Sequence, residues 1–113
     1  MDIRITKTAA PAARPDAGTL GFGKYFTDHM FMMDYDAGQG WHDARIVPFA
    51  PLTLTPAAAV FHYGAEVFEG LKAYRTADGN VQLFRPIDNM RRMNDSAERI
   101  GLPQLDEQDG MQA

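Results

Sequence analysis

The sequence predicts an α+β domain in which an antiparallel sheet comes first and a C-terminal helix packs on it. Two segments rich in Asp and Gly, residues 36–40 and 76–80, each lie between apolar runs and therefore predict turns between strands. A helical pattern of apolar residues follows only after Pro86. Strands that precede one helix favour an antiparallel sheet covered by that helix.

The first pair of strands is predicted on either side of the turn at 36–40. Aromatic residues and methionines dominate residues 25–35, and a second strand is expected near Ala44–Pro48. Prolines at positions 48, 51 and 56 then predict a loop, because each removes a backbone donor and fixes its own φ.

The second hairpin and the helix have the clearest local signals. Asp78-Gly79 lies between apolar runs at Glu69–Arg75 and Val81–Phe84, which predicts a hairpin. Apolar residues from Ile87 to Ile100 then recur at the spacing of a helix face, and Gly101 with Pro103 predicts its end. The polar segment after it predicts no packed element.

The organisation of the chain follows from its length and composition. Its 113 residues fit one ordinary domain. Residues 8–18 are small and proline-rich, with nothing large to bury. We therefore expect residues 1–18 to form a mobile or surface-draped arm and residues 19–113 to form the domain.

Composition and charge exclude several classes of function. The formal net charge of -4 argues against nucleic-acid binding, which normally needs a clustered basic face. There are no cysteines, so disulfides, cysteine-based metal sites and a cysteine nucleophile are excluded. The N-terminus shows neither a secretory signal nor a membrane anchor, so we expect no membrane partner and a cytoplasmic location.

The residues by themselves show no complete active site. The three histidines, at positions 29, 42 and 62, lack ligand spacing and are interpreted as structural, so no metal site is predicted. Ser96 is the only serine and lacks the surroundings of a nucleophile elbow. Glu66 and Glu69 share a helix face or lie on opposite faces of a strand, and neither arrangement implies acid–base catalysis.

A linked set of short motifs nevertheless runs along the chain. They are Gly21-Phe22-Gly23-Lys24, Phe26-Thr27-Asp28-His29-Met30, Leu52-Thr53-Leu54 with Pro56, Phe61-His62-Tyr63-Gly64, Val67–Arg75, Leu83-Phe84-Arg85-Pro86, Asn89, Arg92-Met93, Ser96-Ala97, Arg99 and Leu102-Pro103. This set resembles the small N-terminal domain of branched-chain-amino-acid aminotransferases, which are pyridoxal-phosphate enzymes of fold type IV. The resemblance covers nearly all of the chain after the arm and implies that fold.

The resemblance implies roles for four residues. Arg92 matches the arginine that contacts the phosphate of pyridoxal 5'-phosphate, and a guanidinium fork suits phosphate oxygens. Tyr63 resembles the tyrosine that reaches the partner subunit's active site and receives the substrate carboxylate. Phe22 and Phe68 resemble walls of the apolar substrate pocket. Without the resemblance, we would interpret Tyr63 and Phe68 as core residues and Arg92 as a solvated charge on the helix face. We assign that last role to Arg91.

The reaction implied for the complete enzyme is reversible amino transfer from leucine, isoleucine or valine to 2-oxoglutarate, by a homodimer. The catalytic lysine of the family lies well downstream of residue 113, so Lys7, Lys24 and Lys72 are not assigned that role and no catalytic residue is predicted. We therefore expect the chain to be a truncated N-terminal part that is inactive alone.

Two alternatives stay open. The first is a non-catalytic interaction or regulatory module that kept the small-domain fold, and the coding sequence after Ala113 would separate it from a truncated enzyme. The second is a fragment of a D-amino-acid aminotransferase. That subgroup and the aminodeoxychorismate lyases usually have histidine where Asn89 stands and lack the segment 26–30, so the branched-chain subgroup is favoured.

Overall fold

Two separate sheets and three helices make up the chain in the computed structural model, which describes residues 1–113. The chain divides into two units, residues 1–53 and 54–113. The strands of the first unit are β1 (Arg4–Ile5), β2 (His29–Asp36) and β3 (Gly40–Pro48). The second unit contains α1 (Ala59–Tyr63), β4 (Ala73–Arg75), β5 (Val81–Leu83), α2 (Pro86–Arg99) and α3 (Glu107–Gln112). The predicted α+β class is confirmed, whereas the single sheet is wrong.

The turn predicted at 36–40 joins β2 to β3. The Gln39 amide donates to the Asp36 carbonyl at 2.9 Å, and Gly40 takes a left-handed φ of 78° that suits glycine. Across the hairpin, the rings of Tyr35 and Trp41 meet edge to face at 5.2 Å. This local chemistry explains why the hairpin could be predicted, although β3 begins four residues earlier than the predicted strand.

The N-terminal arm is part of the first unit and makes backbone hydrogen bonds to the rest of it. Its residues 4–5 form β1, which pairs with β3 in parallel, with Arg4 opposite Arg45. Further along, the Thr8 amide donates to Nε2 of His29 at 2.9 Å, and the Ala12 amide donates to the Asp28 carboxylate at 3.0 Å. The arm therefore contains a strand that its composition did not predict.

The second predicted hairpin is present in shorter form. Strands β4 and β5 pair antiparallel, and Gly79 has the positive φ of 87° that the turn requires. The Thr76 hydroxyl donates to the Asp78 carboxylate and also lies 3.1 Å from the Asn80 carbonyl, and the side-chain Nδ2 of Asn80 donates to Asp78 at 2.7 Å. Side-chain bonds of this kind stabilise tight turns.

Helix α2 begins and ends as the sequence predicts. Pro86 occupies the first turn, where a missing amide proton costs nothing. After Arg99 the chain turns at Gly101, with φ of 74°, and the Leu102 amide returns to the Ala97 carbonyl at 2.8 Å. This is the hydrogen-bond pattern by which a glycine commonly closes a helix.

The C-terminal segment forms a helix, so the expectation of an unpacked end is wrong. The Asp106 side chain caps α3 by accepting from the amides of Gln108 and Asp109, at 2.9 and 3.0 Å. Asn94 of α2 exchanges two hydrogen bonds with the Leu105 backbone, at 2.7 and 2.9 Å. These bonds hold α3 against α2.

The main packing partner of α2 is α3, so the expected packing of this helix on a sheet is also wrong. A β-carbon on Gly110 would lie 2.6 Å from the sulfur of Met90, which shows how closely the two helices approach. Met90 and Ala97 of α2 are buried, as is Ala44 of β3 in the first unit. None of the helices has the length and apolar composition needed to cross a membrane.

Candidate functional site

Tyr63 is the last residue of α1 and projects into solvent. Gly64 ends the helix with a left-handed backbone, at φ 57° and ψ 37°, so the chain turns immediately after the tyrosine. The Tyr63 residue is 86% exposed. The interpretation of Tyr63 as a core residue is therefore wrong for this chain.

The two phenylalanines expected to line a substrate pocket are also exposed. Phe22 lies in the first unit between two glycines of positive φ and is fully accessible. Phe68 lies in the second unit and is 86% exposed, so it too is not a core residue. Its ring lies close to Gly70, where an added β-carbon would be 3.5 Å from the ring.

Arg92 is fixed by a carboxylate that the sequence reading had left without a role. Its Nε donates to Oε2 of Glu69 at 2.7 Å, and its Nη2 donates to Oε1 of the same carboxylate. The Arg92 side chain is 68% exposed, whereas that of Glu69 is only 6% exposed. The arginine is therefore a surface residue attached to a nearly buried anchor.

Two further groups hold the anchor in place. Asn89, one helical turn before Arg92, donates from Nδ2 to Oε1 of Glu69 and to the Gly70 carbonyl, both at 2.9 Å. The Gly70 amide donates to the same Oε1 at 2.9 Å. Glu69, Gly70, Asn89 and Arg92 form what we call the Glu69 cluster. It joins α2 to the segment just before β4.

The Glu69 cluster keeps its carboxylate ionised. Hydrogen bonds from Arg92, and then from Asn89, lower the pKa of Glu69 from 4.5 to about 2, against the opposing effect of desolvation. The hydrogen bonds that Arg92 donates to Glu69, followed by the attraction of the Glu69 charge, in turn raise the pKa of Arg92. At neutral pH the cluster therefore consists of a full carboxylate and a full guanidinium.

The lowered pKa predicts a window of acid instability. Below pH 4.5 the unfolded chain binds a proton at Glu69, while the folded chain stays ionised until about pH 2. This carboxylate therefore stabilises the fold fully above pH 4.5 and progressively less as the pH falls to 2. We expect Glu69→Gln to flatten the loss of thermal stability between those limits, measured by circular dichroism of residues 1–113.

Glu66→Gln is the matched control, because Glu66 is exposed and its carboxylate makes no hydrogen bond or ion pair. It should keep the steeper acid profile of the unmodified chain. Some slope remains in every variant, because hydrogen bonds also lower the pKa of Asp34 and of Asp78. Identical profiles for Glu69→Gln and the unmodified chain would contradict the prediction.

The neighbouring arginine has a different environment. Arg91 bonds Glu107 of α3 at 3.2 Å and Asp88 of its own helix at 3.4 Å, so it ties the two helices together and is more than a solvated charge. Arg92 uses only Nε and Nη2 in its pair with Glu69, which leaves Nη1 without a protein acceptor. Arg91 likewise leaves Nη2 without an acceptor, so the two arginines differ in their partners: Arg91 joins two helices, whereas Arg92 is attached to a nearly buried carboxylate.

Each histidine has a structural hydrogen bond. His29 accepts from the arm, His42 lies 2.8 Å from the Asp36 carboxylate, and Nε2 of His62 lies 2.6 Å from the Pro56 carbonyl. Two lysines lie over aromatic rings: Nζ of Lys24 is 5.5 Å from the centre of Tyr25, and Nζ of Lys72 is 5.4 Å from that of Tyr74.

The groove at the Glu69 cluster does not coincide with the expected site. A groove of about 370 Å³ runs beside the Glu69 cluster and is lined by Gly70, Leu71, Lys72, Tyr74, Phe84 and Asn89. Arg92, Tyr63 and Phe68 do not line it. No hydrogen bond or ring contact joins those three residues to one another, so within the second unit the expected site residues point outward without forming a closed pocket.

Comparison with known proteins gives a consistent result. The chain is 59% identical over 106 residues to branched-chain-amino-acid transaminase 1 of Bacillus subtilis, a match that covers 94% of this chain. It is 54% identical to branched-chain-amino-acid aminotransferase 2 of the same organism. A branched-chain-amino-acid aminotransferase of Mycolicibacterium smegmatis is 53% identical over 78% of the chain. No protein-family model matches.

The match is extensive for this chain but partial for its relatives. The chain spans about 30% of the length of the Bacillus subtilis transaminase 1 and 24% of the length of the mycobacterial enzyme. Identity above 50% along most of the chain indicates a common evolutionary origin. By sequence, this chain is a relative of the branched-chain-amino-acid aminotransferases and matches about 30% of their length.

Proposed function

We propose that this chain forms the small N-terminal domain of a fold type IV aminotransferase that uses pyridoxal 5'-phosphate. The reaction is reversible transfer of the amino group of leucine, isoleucine or valine to 2-oxoglutarate. The observation that carries this proposal is the 59% identity to a named branched-chain transaminase over 94% of the chain. The catalytic lysine then comes from sequence outside residues 1–113.

The Glu69 cluster supports a contact with the cofactor phosphate. Arg92 is exposed, fully charged and held in one orientation, with Nη1 free to donate. Phosphate oxygens are acceptors that match a guanidinium edge. When bound, pyridoxal phosphate supplies the electron sink for the reaction, and the protein supplies its binding and orientation. Arg92 would hold the phosphate.

The exposed aromatic residues support a place for this chain within a larger assembly. Three apolar residues are buried, whereas twenty large hydrophobic residues are exposed. Tyr63, Phe22 and Phe68 are among the most exposed of these. In the proposed homodimer, the two phenylalanines line an apolar substrate pocket and Tyr63 donates its hydroxyl to a substrate carboxylate in the partner subunit.

A chimera tests the proposal. Residues 1–113 would replace the matching segment of the Bacillus subtilis transaminase 1, with which they share 59% identity. We expect the chimera to bind pyridoxal phosphate and to form glutamate from leucine and 2-oxoglutarate. We expect residues 1–113 alone to retain no cofactor after desalting and to show no turnover, because a lysine is needed both to hold the cofactor and to move the proton.

The same assays separate the alternatives. A folded chimera that binds the cofactor but turns over neither leucine nor D-alanine would favour a non-catalytic module. A preference for D-alanine would favour the D-amino-acid subgroup. Turnover by residues 1–113 alone would contradict the proposal and would return Lys24 and Lys72 to consideration as catalytic residues.

A further inference from the structure

We propose that Glu69 is a positioning residue for Arg92: it fixes the guanidinium so that the edge carrying Nη1 is presented to the cofactor phosphate. This inference rests on the proposed function, because it concerns the same phosphate contact. Glu69 itself would not touch the cofactor. It would act through Arg92, and Asn89 would act through Glu69.

The difference in burial between the two partners is the first argument. A largely exposed arginine has many rotamers, and ordering it on ligand binding costs free energy. Here the exposed end is tied by two hydrogen bonds to a carboxylate that is only 6% exposed. These bonds restrict the guanidinium before any ligand arrives, so binding has less entropy to offset.

The count of donors is the second argument. A guanidinium has five N–H donors in a planar fork. The pair with Glu69 uses the edge that carries Nε and Nη2, which leaves three donors: one on Nη2 and one on Nη1 along the edge between these two nitrogens, and a second one on Nη1. That remaining edge is itself a two-pronged fork of the kind that binds phosphate. One side of Arg92 is thus anchored while the other stays available.

The saturation of the anchor is the third argument. Oε1 of Glu69 accepts from Gly70 N, Asn89 Nδ2 and Arg92 Nη2, and Oε2 accepts from Arg92 Nε. Two of these donors come from outside the ion pair and hold the carboxylate independently of Arg92. A carboxylate that served only to neutralise a surface arginine would not need such support.

The sign of the expected effect separates positioning from simple electrostatics. Glu69 places a negative charge beside a site for an anion, so its removal by Glu69→Gln should strengthen phosphate binding if charge alone mattered. If Glu69 orients Arg92, the same change should weaken binding, by about 3- to 10-fold on the usual cost of immobilising one long side chain.

The test uses the chimera and compares pyridoxal phosphate with pyridoxal, which lacks the phosphate. Dissociation constants would be measured by cofactor absorbance for the unmodified chimera, Glu69→Gln, Arg92→Ala, the double variant and the control Glu66→Gln. We expect Glu69→Gln to weaken the binding of pyridoxal phosphate and to leave the binding of pyridoxal unchanged. In the Arg92→Ala background the same change should have no further effect, because its target is gone.

The outcomes distinguish the positioning role of Glu69 from the phosphate contact of Arg92. If Arg92→Ala weakens pyridoxal-phosphate binding while Glu69→Gln leaves it unchanged or tighter, the positioning role is overturned and the phosphate contact stands. No effect in Arg92→Ala would overturn the contact itself. Parallel weakening of pyridoxal would show a merely structural role. If Glu69→Gln does not fold, Asn89→Ala decides, since it removes one support of the carboxylate without changing charge, and we expect a smaller selective loss.

Discussion

Arg92→Ala should weaken pyridoxal-phosphate binding by about 10- to 100-fold, the range expected for losing hydrogen bonds from a charged donor to a phosphate. Alanine removes the free edge of the guanidinium and also leaves the Glu69 carboxylate without its strongest donor. The measurement is the dissociation constant of the chimera, together with the cofactor retained per subunit after gel filtration. Circular dichroism at the assay temperature confirms that the variant is folded.

Arg91→Ala is the control for this change, because it removes the same charge from the preceding position of α2. Its side chain bonds Glu107 and Asp88 and takes no part in the Glu69 cluster. We expect this variant to lose some stability at the α2–α3 contact and to keep its cofactor. Equal cofactor retention in the Arg91 and Arg92 variants would contradict the assignment.

Met90→Ala should lower the free energy of unfolding of residues 1–113 by about 2–5 kcal/mol, the usual cost of truncating a large buried apolar side chain. Met90 is one of only three buried apolar residues, and its sulfur fills the space over Gly110 of α3. Removing it leaves a cavity between the two helices. Urea unfolding followed by circular dichroism measures the change.

Met111→Ala makes a matched comparison, because Met111 belongs to α3 but is exposed. We expect a change within about 0.5 kcal/mol there, as is usual for surface positions. If the two methionine variants unfolded at the same urea concentration, the α2–α3 contact would not contribute to the cooperative stability of the chain.

What the sequence predicted correctly depends on short-range chemistry. The hairpin turn at 76–80 is specified by Asp78-Gly79 and its own side-chain bonds, and α2 by apolar spacing with Gly101 after it. In each case the determining residues lie within a few positions of one another.

What the sequence did not predict depends on distant partners. Strand β1 is two residues long and exists by pairing with β3 some forty positions away. Helix α3 is too short and polar to form by propensity, and its support comes from Asn94 and from contact with Met90. Glu69 contacts Asn89 and Arg92 of α2 only in the folded chain. The spacing of Glu66 and Glu69 in the sequence does not indicate this contact.

The Glu69 cluster also has a consequence for the order of folding. Its bonds join residues 20 and 23 positions apart, and the β4–β5 hairpin lies entirely within that loop. Hairpins close in microseconds and shorten the effective distance that a larger loop must span. The hairpin should therefore form before Arg92 meets Glu69, so a change that slows the turn at Gly79 would delay formation of the Glu69–Arg92 pair without altering either of its residues.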